Sequence, residues 1–292
     1  MIESIKLKNL STLEELSINM DEGPYYVESV EVGGIEGIHQ SYKFPGQVGE
    51  TVDSSTLGTR SISVTGWCVN TSQNPLSQLK SQLNSFVNPQ QGLRMYYSDY
   101  YIDFLPSATV QYSKNRKDNN SVVCKFLISG EAYSPLWSTA EAKESPVSYS
   151  QGGFILPFSM NAEHPIVFGA IYSVFSTSIY NPGLPIGCKI TITARGIVVN
   201  PKVTCPETQE SFSIEKTLQP GEEIVVSTLL GDRYVQGYLN GEFSNYLQYM
   251  GENSSWITIP KETSTISFSA DLGADFLLVS IAFNPSFLEV EE

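Results

Sequence analysis

Apolar positions along this chain recur mostly with a period of two. In Cys188–Arg195, Cys188, Ile190, Ile192 and Ala194 alternate with Lys189, Thr191, Thr193 and Arg195. That pattern predicts a strand with one buried face and one wet face. The last third, residues 186–283, is a run of such short segments with clear turn punctuation. Asn240-Gly241 supplies the positive φ angles of a two-residue hairpin turn. Pro220-Gly221 breaks the chain just before the apolar Ile224–Val226. Short strands at this density predict a β-sandwich or jelly roll.

The first half reads as strands at Ser61–Val69, Leu93–Tyr97, Tyr101–Leu105 and Val122–Ser129. One segment switches period. Leu76, Leu79, Leu83 and Phe86 recur at spacings of three and four, which predicts an amphipathic helix over 75–87. Asn74-Pro75 opens it as N-cap and first helical residue, and Asn88-Pro89 closes it. Phe44–Leu57 (FPGQVGETVDSSTL) is polar and glycine-bearing, and reads as a long functional or disordered loop. After Ser134-Pro135-Leu136-Trp137 comes STAEAKESPVSYSQGG, with the composition of a linker. The expected division is therefore a first domain of residues 1–140, a linker of 141–152 and a second domain of 153–292. Phe154, Ile155, Leu156 and Phe158, with the run Ile166–Phe175, are expected to open the second sandwich. The fold class expected is all-β with one helix.

Composition narrows function by exclusion. At 292 residues and 41% hydrophobic, the chain is long enough to fold as two globular domains. The formal charge is −14, with 16 acids against 11 bases in residues 1–145 and 15 against 6 in 146–292. No basic stripe offers counterion-release binding to nucleic acid. Cys68, Cys124, Cys188 and Cys205 are widely spaced and form no CxxC pair, so free buried thiols are expected. MIESIKLKNL lacks a signal-peptide core, and the longest apolar run, Phe276–Phe283, is too short to span a bilayer. A soluble protein made in a cytoplasm, with no membrane insertion, is expected.

Candidate chemistry is sparse. His39 and His164 fall in different expected domains, with no nucleophile-elbow glycines. No Cys/His cluster suggests zinc. Glu222-Glu223 point to opposite faces if extended, and Asp271 and Asp275 flank a turn. No enzymatic activity and no cofactor are expected. Tyr246, Tyr249 and Trp256 are the candidates for stacking on sugar.

The order of these parts resembles the distal tail protein (Dit) family of siphophages and prophages. The resemblance is carried by Phe44–Leu57 leading into TRSISVTGWCV (59–69), the helix with its NPQQGLRMYY exit (88–97), and KFLISGEAYSPLW (125–137). In the second half it rests on NPKVTCPE (200–207), TLQPGEEIVVSTLLGDRYV (217–235) and SSWITIP (254–260). It implies a tail-tube-like β-sandwich that assembles as a homo-hexameric ring, followed by a galectin-like β-sandwich. It also implies a virion tail-tip location, and as partners the tail-tube protein, a tail-tip or tail-lysin protein and a receptor-binding protein. DNA would pass through without specific binding. The interface candidates are Phe44, Pro45 and Gly46 in the loop, and the basic run Lys114, Arg116 and Lys117, expected to point away from an acidic channel. The second half is longer than the simplest layout of this family, mainly through residues 153–185. The alternative is a carbohydrate-binding module for host-surface recognition, although the histidine of a galectin sugar site has no counterpart in the strand-rich core of that half.

Overall fold

A computed structural model describes residues 4–147, 149–152, 169–172 and 176–290. The chain divides into two compact units, residues 1–140 with 287–292, and residues 141–286.

Unit 1 opens with β1 (Ser4–Asn9), β2 (Glu15–Asn19) and β3 (Tyr25–Val32), then β4 (Gly37–Tyr42) and β5 (Thr51–Leu57). Next come β6 (Arg60–Val69) and α1 (Leu76–Phe86). β7 (Leu93–Tyr97), β8 (Tyr100–Pro106), β9 (Gln111–Tyr112), β10 (Val123–Ala132) and β11 (Trp137–Thr139) complete it. Nine of these strands hydrogen-bond in the order β11-β8-β7-β1-β2-β3-β6-β10-β9. β10 also pairs with β8, at Gly130↔Pro106 and Glu131↔Leu105, so the sheet closes on itself. Gly130 permits that closure, because a Cβ there would lie 2.5 Å from the Leu105 carbonyl oxygen. On β6, Ile62, Val64 and Cys68 face the interior, while Ser61, Ser63, Thr65 and Trp67 face out. α1 buries Leu79, Leu83 and Phe86, and the Tyr25 hydroxyl donates to the Leu79 carbonyl at 3.1 Å. Pro75 is the extended N-cap rather than the first helical residue, so the helix starts one position later than the sequence suggests.

Unit 2 contains β12 (Lys143–Pro146), β13 (Tyr149–Gly152), β14 (Gly169–Tyr172), β15 (Ser176–Asn181), β16 (Ile186–Gly187) and β17 (Lys189–Ala194). It continues with β18 (Val198–Val199), β19 (Lys202–Cys205), β20 (Glu210–Ser213), β21 (Thr217–Leu218) and β22 (Glu223–Ser227). The last strands are β23 (Tyr234–Leu239), β24 (Glu242–Asn245), β25 (Thr258–Ile259), β26 (Glu262–Ser269) and β27 (Leu277–Phe283). One sheet runs β12-β27-β17-β22-β23-β24 and a second runs β15-β26-β19-β20. Ile190, Ile192, Ile224 and Ile281 from the first sheet share a buried core with Val203, Phe212 and Ile266 from the second. Asn240 and Gly241 take φ of 53° and 85°, as a two-residue hairpin between right-twisted strands requires.

The structure departs from the sequence reading in several places. Phe44–Leu57 is only in part a loop, because residues 51–57 form β5 and pair with β4. The stretch 141–152 is not a bare linker: β12 pairs with β27 as the outer strand of a unit 2 sheet. Residues 287–292 group with unit 1 rather than with the second domain. His164 and Phe154–Phe158 lie outside the described residues, and of Ile166–Phe175 only 169–172 are described, as β14 paired with β13.

Candidate interaction surfaces

The β4–β5 hairpin is the most unusual surface of unit 1. Every residue of both strands is exposed. Ile38, Tyr42, Phe44, Val48, Val52 and Leu57 all present apolar side chains to solvent, with Phe44 61% exposed. The turn between the strands is nevertheless built. The Gln47 N–H donates to the Phe44 carbonyl at 3.0 Å, and the Phe44 N–H donates to Gln47 Oε1 at 3.0 Å. The Tyr42 and Phe44 rings meet edge to face at 5.1 Å, and Gly46 and Gly49 take positive φ. Pro45 and Gly46 stand exposed at the tip. Sequence alone misses the strands because no position in them is buried, so no alternation marks them.

Lys114, Arg116 and Lys117 are exposed on the segment between β9 and β10. That segment is tied to α1: Lys80 Nζ donates to Asn119 Oδ1 at 3.1 Å, and the Tyr112 hydroxyl donates to the Lys80 carbonyl at 3.2 Å. Beside it, the outward face of β3, β6 and β10 carries Ser29, Ser61, Ser63, Thr65 and Ser129 together with Glu28, Glu31 and Glu131. Its one cation, Lys125, is paired to Glu28 at 2.6 Å. This face is rich in hydroxyls and carboxylates.

In unit 2 the three aromatic candidates are largely taken up by the fold. Tyr246 is 8% exposed and its hydroxyl donates to Glu222 Oε1 at 2.8 Å. Its ring lies over Gly237, where a Cβ would come within 2.1 Å of it. Tyr249 packs edge to face on Tyr246 at 5.3 Å, and Trp256 lies against the buried Phe212 at 5.9 Å with the Arg233 guanidinium over its ring. Glu222 is fully buried and also accepts from Lys216 Nζ at 2.5 Å and from the Gln219 N–H at 2.9 Å. Burial works to raise its pKa, but these three hydrogen bonds outweigh burial and hold it below the ordinary carboxylate value. Nothing in Glu222-Glu223 as a sequence distinguishes the buried member from its half-buried neighbour.

The cysteines are buried and free. Burial pushes the Cys68 and Cys188 thiols up to about 12, so neither is a nucleophile at neutral pH. Among the described residues no three His, Cys, Asp or Glu side chains gather as a metal site.

Comparison with known proteins fits this geometry. Residues 5–128 match the family described as phage tail protein RIFT-related domain. No curated protein matches the sequence. Among solved structures, the Dit protein of phage SPP1 aligns over 97% of this chain and 99% of its own, with a TM-score of 0.66 and 11% identity. A chain of the phage P2 baseplate, in its activated conformation with Ca, aligns over 97% and 98%, with a TM-score of 0.52 and 12% identity. Residues 5–128 are thus similar to the phage tail protein RIFT-related domain, and the chain shares the fold of the SPP1 Dit protein.

Proposed function

We propose that this protein is a structural ring subunit at the tip of a siphophage tail, six copies of which join the tail tube to the adsorption apparatus. The β4–β5 hairpin carries this reading. An isolated two-stranded hairpin is marginal in water, and this one exposes six large apolar side chains. So many exposed apolar side chains on one arm mark a contact surface. In a ring, the arm of each copy is covered by the next, a heterologous contact that closes on itself. The shared fold supports the reading, since SPP1 Dit is described as a paradigm of hub adsorption apparatus in Gram-positive-infecting phages.

Unit 1 forms the ring in this proposal, with Phe44, Pro45 and Gly46 in the contact, and unit 2 is a galectin-like sandwich outside it. The tail-tube protein, a tail-tip or tail-lysin protein and a receptor-binding protein are its neighbours. The role is structural and non-enzymatic. The β3–β6–β10 face suits the channel wall, since it is net acidic and its lysine is already paired to a carboxylate, so it offers phosphates no free cation. Light scattering on the purified full chain tests the proposal. The expected mass is six times 32.2 kDa, and a mass of one chain at every concentration would rule the ring out.

A further inference from the structure

We propose that the outer edge of β24 in unit 2 takes up an extended segment of another protein chain as an added strand. β24 ends its sheet, and among the described residues no segment pairs with its outer side. The register fixes which backbone groups are open. With Asn240-Gly241 as the turn, Leu239↔Glu242 and Gly237↔Ser244 are the hydrogen-bonded pairs. The Tyr246 N–H continues that parity by donating to the Val235 carbonyl at 2.9 Å. Phe243 and Asn245 therefore aim their N–H and C=O groups away from the sheet.

Two other edges of this sandwich are guarded. β12, at the far end of the same sheet, carries Lys143 and Pro146, devices that block strand addition. The edge of β20 is covered, as Gly251 N–H donates to the Ser213 carbonyl and Ser255 N–H to the Ser211 carbonyl. β24 has no lysine, proline or bulge. It exposes Phe243, 64% accessible, beside its cross-strand partner Tyr238.

A row of outward N–H and C=O groups is matched only by another strand. Glu242, on the face of β24 opposite Phe243, is the charged residue of that strand, so the fitting segment alternates an apolar side chain beside Phe243 with a cationic one beside Glu242. A second copy fits poorly, because self-pairing would place two Glu242 carboxylates on one edge.

The test uses the full chain and a synthetic peptide alternating valine with lysine, with its valine–glutamate counterpart as control. Amide exchange is followed at Phe243 and Asn245. Saturable slowing at both is expected with the lysine peptide, at least tenfold weaker with the glutamate peptide. Phe243→Pro removes the outward N–H at an edge position where proline is tolerated, and abolishes the slowing. Should that variant not fold, Phe243→Lys weakens binding of the lysine peptide at least tenfold. Equal binding of the two peptides, no saturable slowing, or slowing that survives both variants overturns the proposal. So does a concentration-dependent dimer that either variant removes, since a second copy would then be the occupant.

Discussion

Arg60 and Glu289 are 229 residues apart in sequence and meet at 2.5 Å, the guanidinium fully buried and the carboxylate largely exposed. Arg60 Nη2 also donates to the Leu288 carbonyl at 2.7 Å, while Nε and Nη1 have no partner. The end of the chain thus supplies both hydrogen bonds of a buried cation in unit 1. Phe287 adds an edge-to-face contact with Tyr100 at 5.6 Å, and Val290 lines a small cavity with Val30, Met95 and Trp137.

Removal of residues 287–292 is therefore expected to destabilise unit 1 by about 3–5 kcal/mol, the cost of leaving a buried charge unpaired. Glu289→Gln alone should cost less than about 1 kcal/mol, because that carboxylate is mostly in water and the Leu288 carbonyl remains. Urea unfolding monitored separately in the two units distinguishes these outcomes. A truncated chain as stable as the full one would contradict the clasp. A fragment of residues 1–140 lacks this segment and should be marginal for the same reason.

Excision of the hairpin is predicted to leave the fold of unit 1 intact. Its base is already closed: the Gly58 N–H donates to the Glu36 carbonyl at 2.8 Å. Removal of residues 37–57 takes away no buried side chain of β4 or β5. The melting temperature should stay within a few degrees, while the mass in light scattering falls to that of one chain. Loss of folding would instead make the hairpin part of the core.

Glu222 gives unit 2 an acid-sensitive lock. Its folded pKa is depressed, so its stabilisation is present above the unfolded carboxylate value and is lost as pH falls through the folded one. Lys216 works in the opposite range. Burial lowers its pKa, but the Glu222 contact outweighs burial and raises it overall. Its contribution holds below the unfolded lysine value and is lost as pH rises through the folded one. Glu222→Gln should cost about 2 kcal/mol at neutral pH, the worth of a charge-assisted hydrogen bond. It should also flatten the acid limb of a stability–pH curve. An unchanged acid limb would show that other groups set it.

How far the fold was legible follows from what each element buries. Cys188–Arg195 and the Leu76–Phe86 stripe announce themselves because one face is buried and one is not, and the structure places a strand and a helix there. Asn240-Gly241 is legible because few residue pairs tolerate two positive φ angles. The β4–β5 hairpin is invisible for the converse reason, since nothing in it is buried. The pairing of Arg60 with residues 288 and 289 is a long-range event in a tail, FLEVEE, too short to show a period. Glu222 is missed because charge in sequence predicts solvent, and only its three partners reverse that.

The basic run is the last test. Lys114, Arg116 and Lys117 are exposed on a segment anchored to α1 through Lys80 and Tyr112, so neutralising them should not disturb the fold. On the reading that DNA passes the acidic β3–β6–β10 face, these three bases sit outside the channel and contact an acidic neighbour. Replacing all three by glutamine should then leave DNA retention at physiological salt undetectable, as in the parent protein. It should weaken association with the neighbouring tail component by a salt-dependent amount of about 1 kcal/mol, the scale of exposed charge pairs. Binding of duplex DNA by the parent ring, with an affinity that falls steeply with salt and is lost in the triple variant, would place these bases in the channel and overturn the assignment.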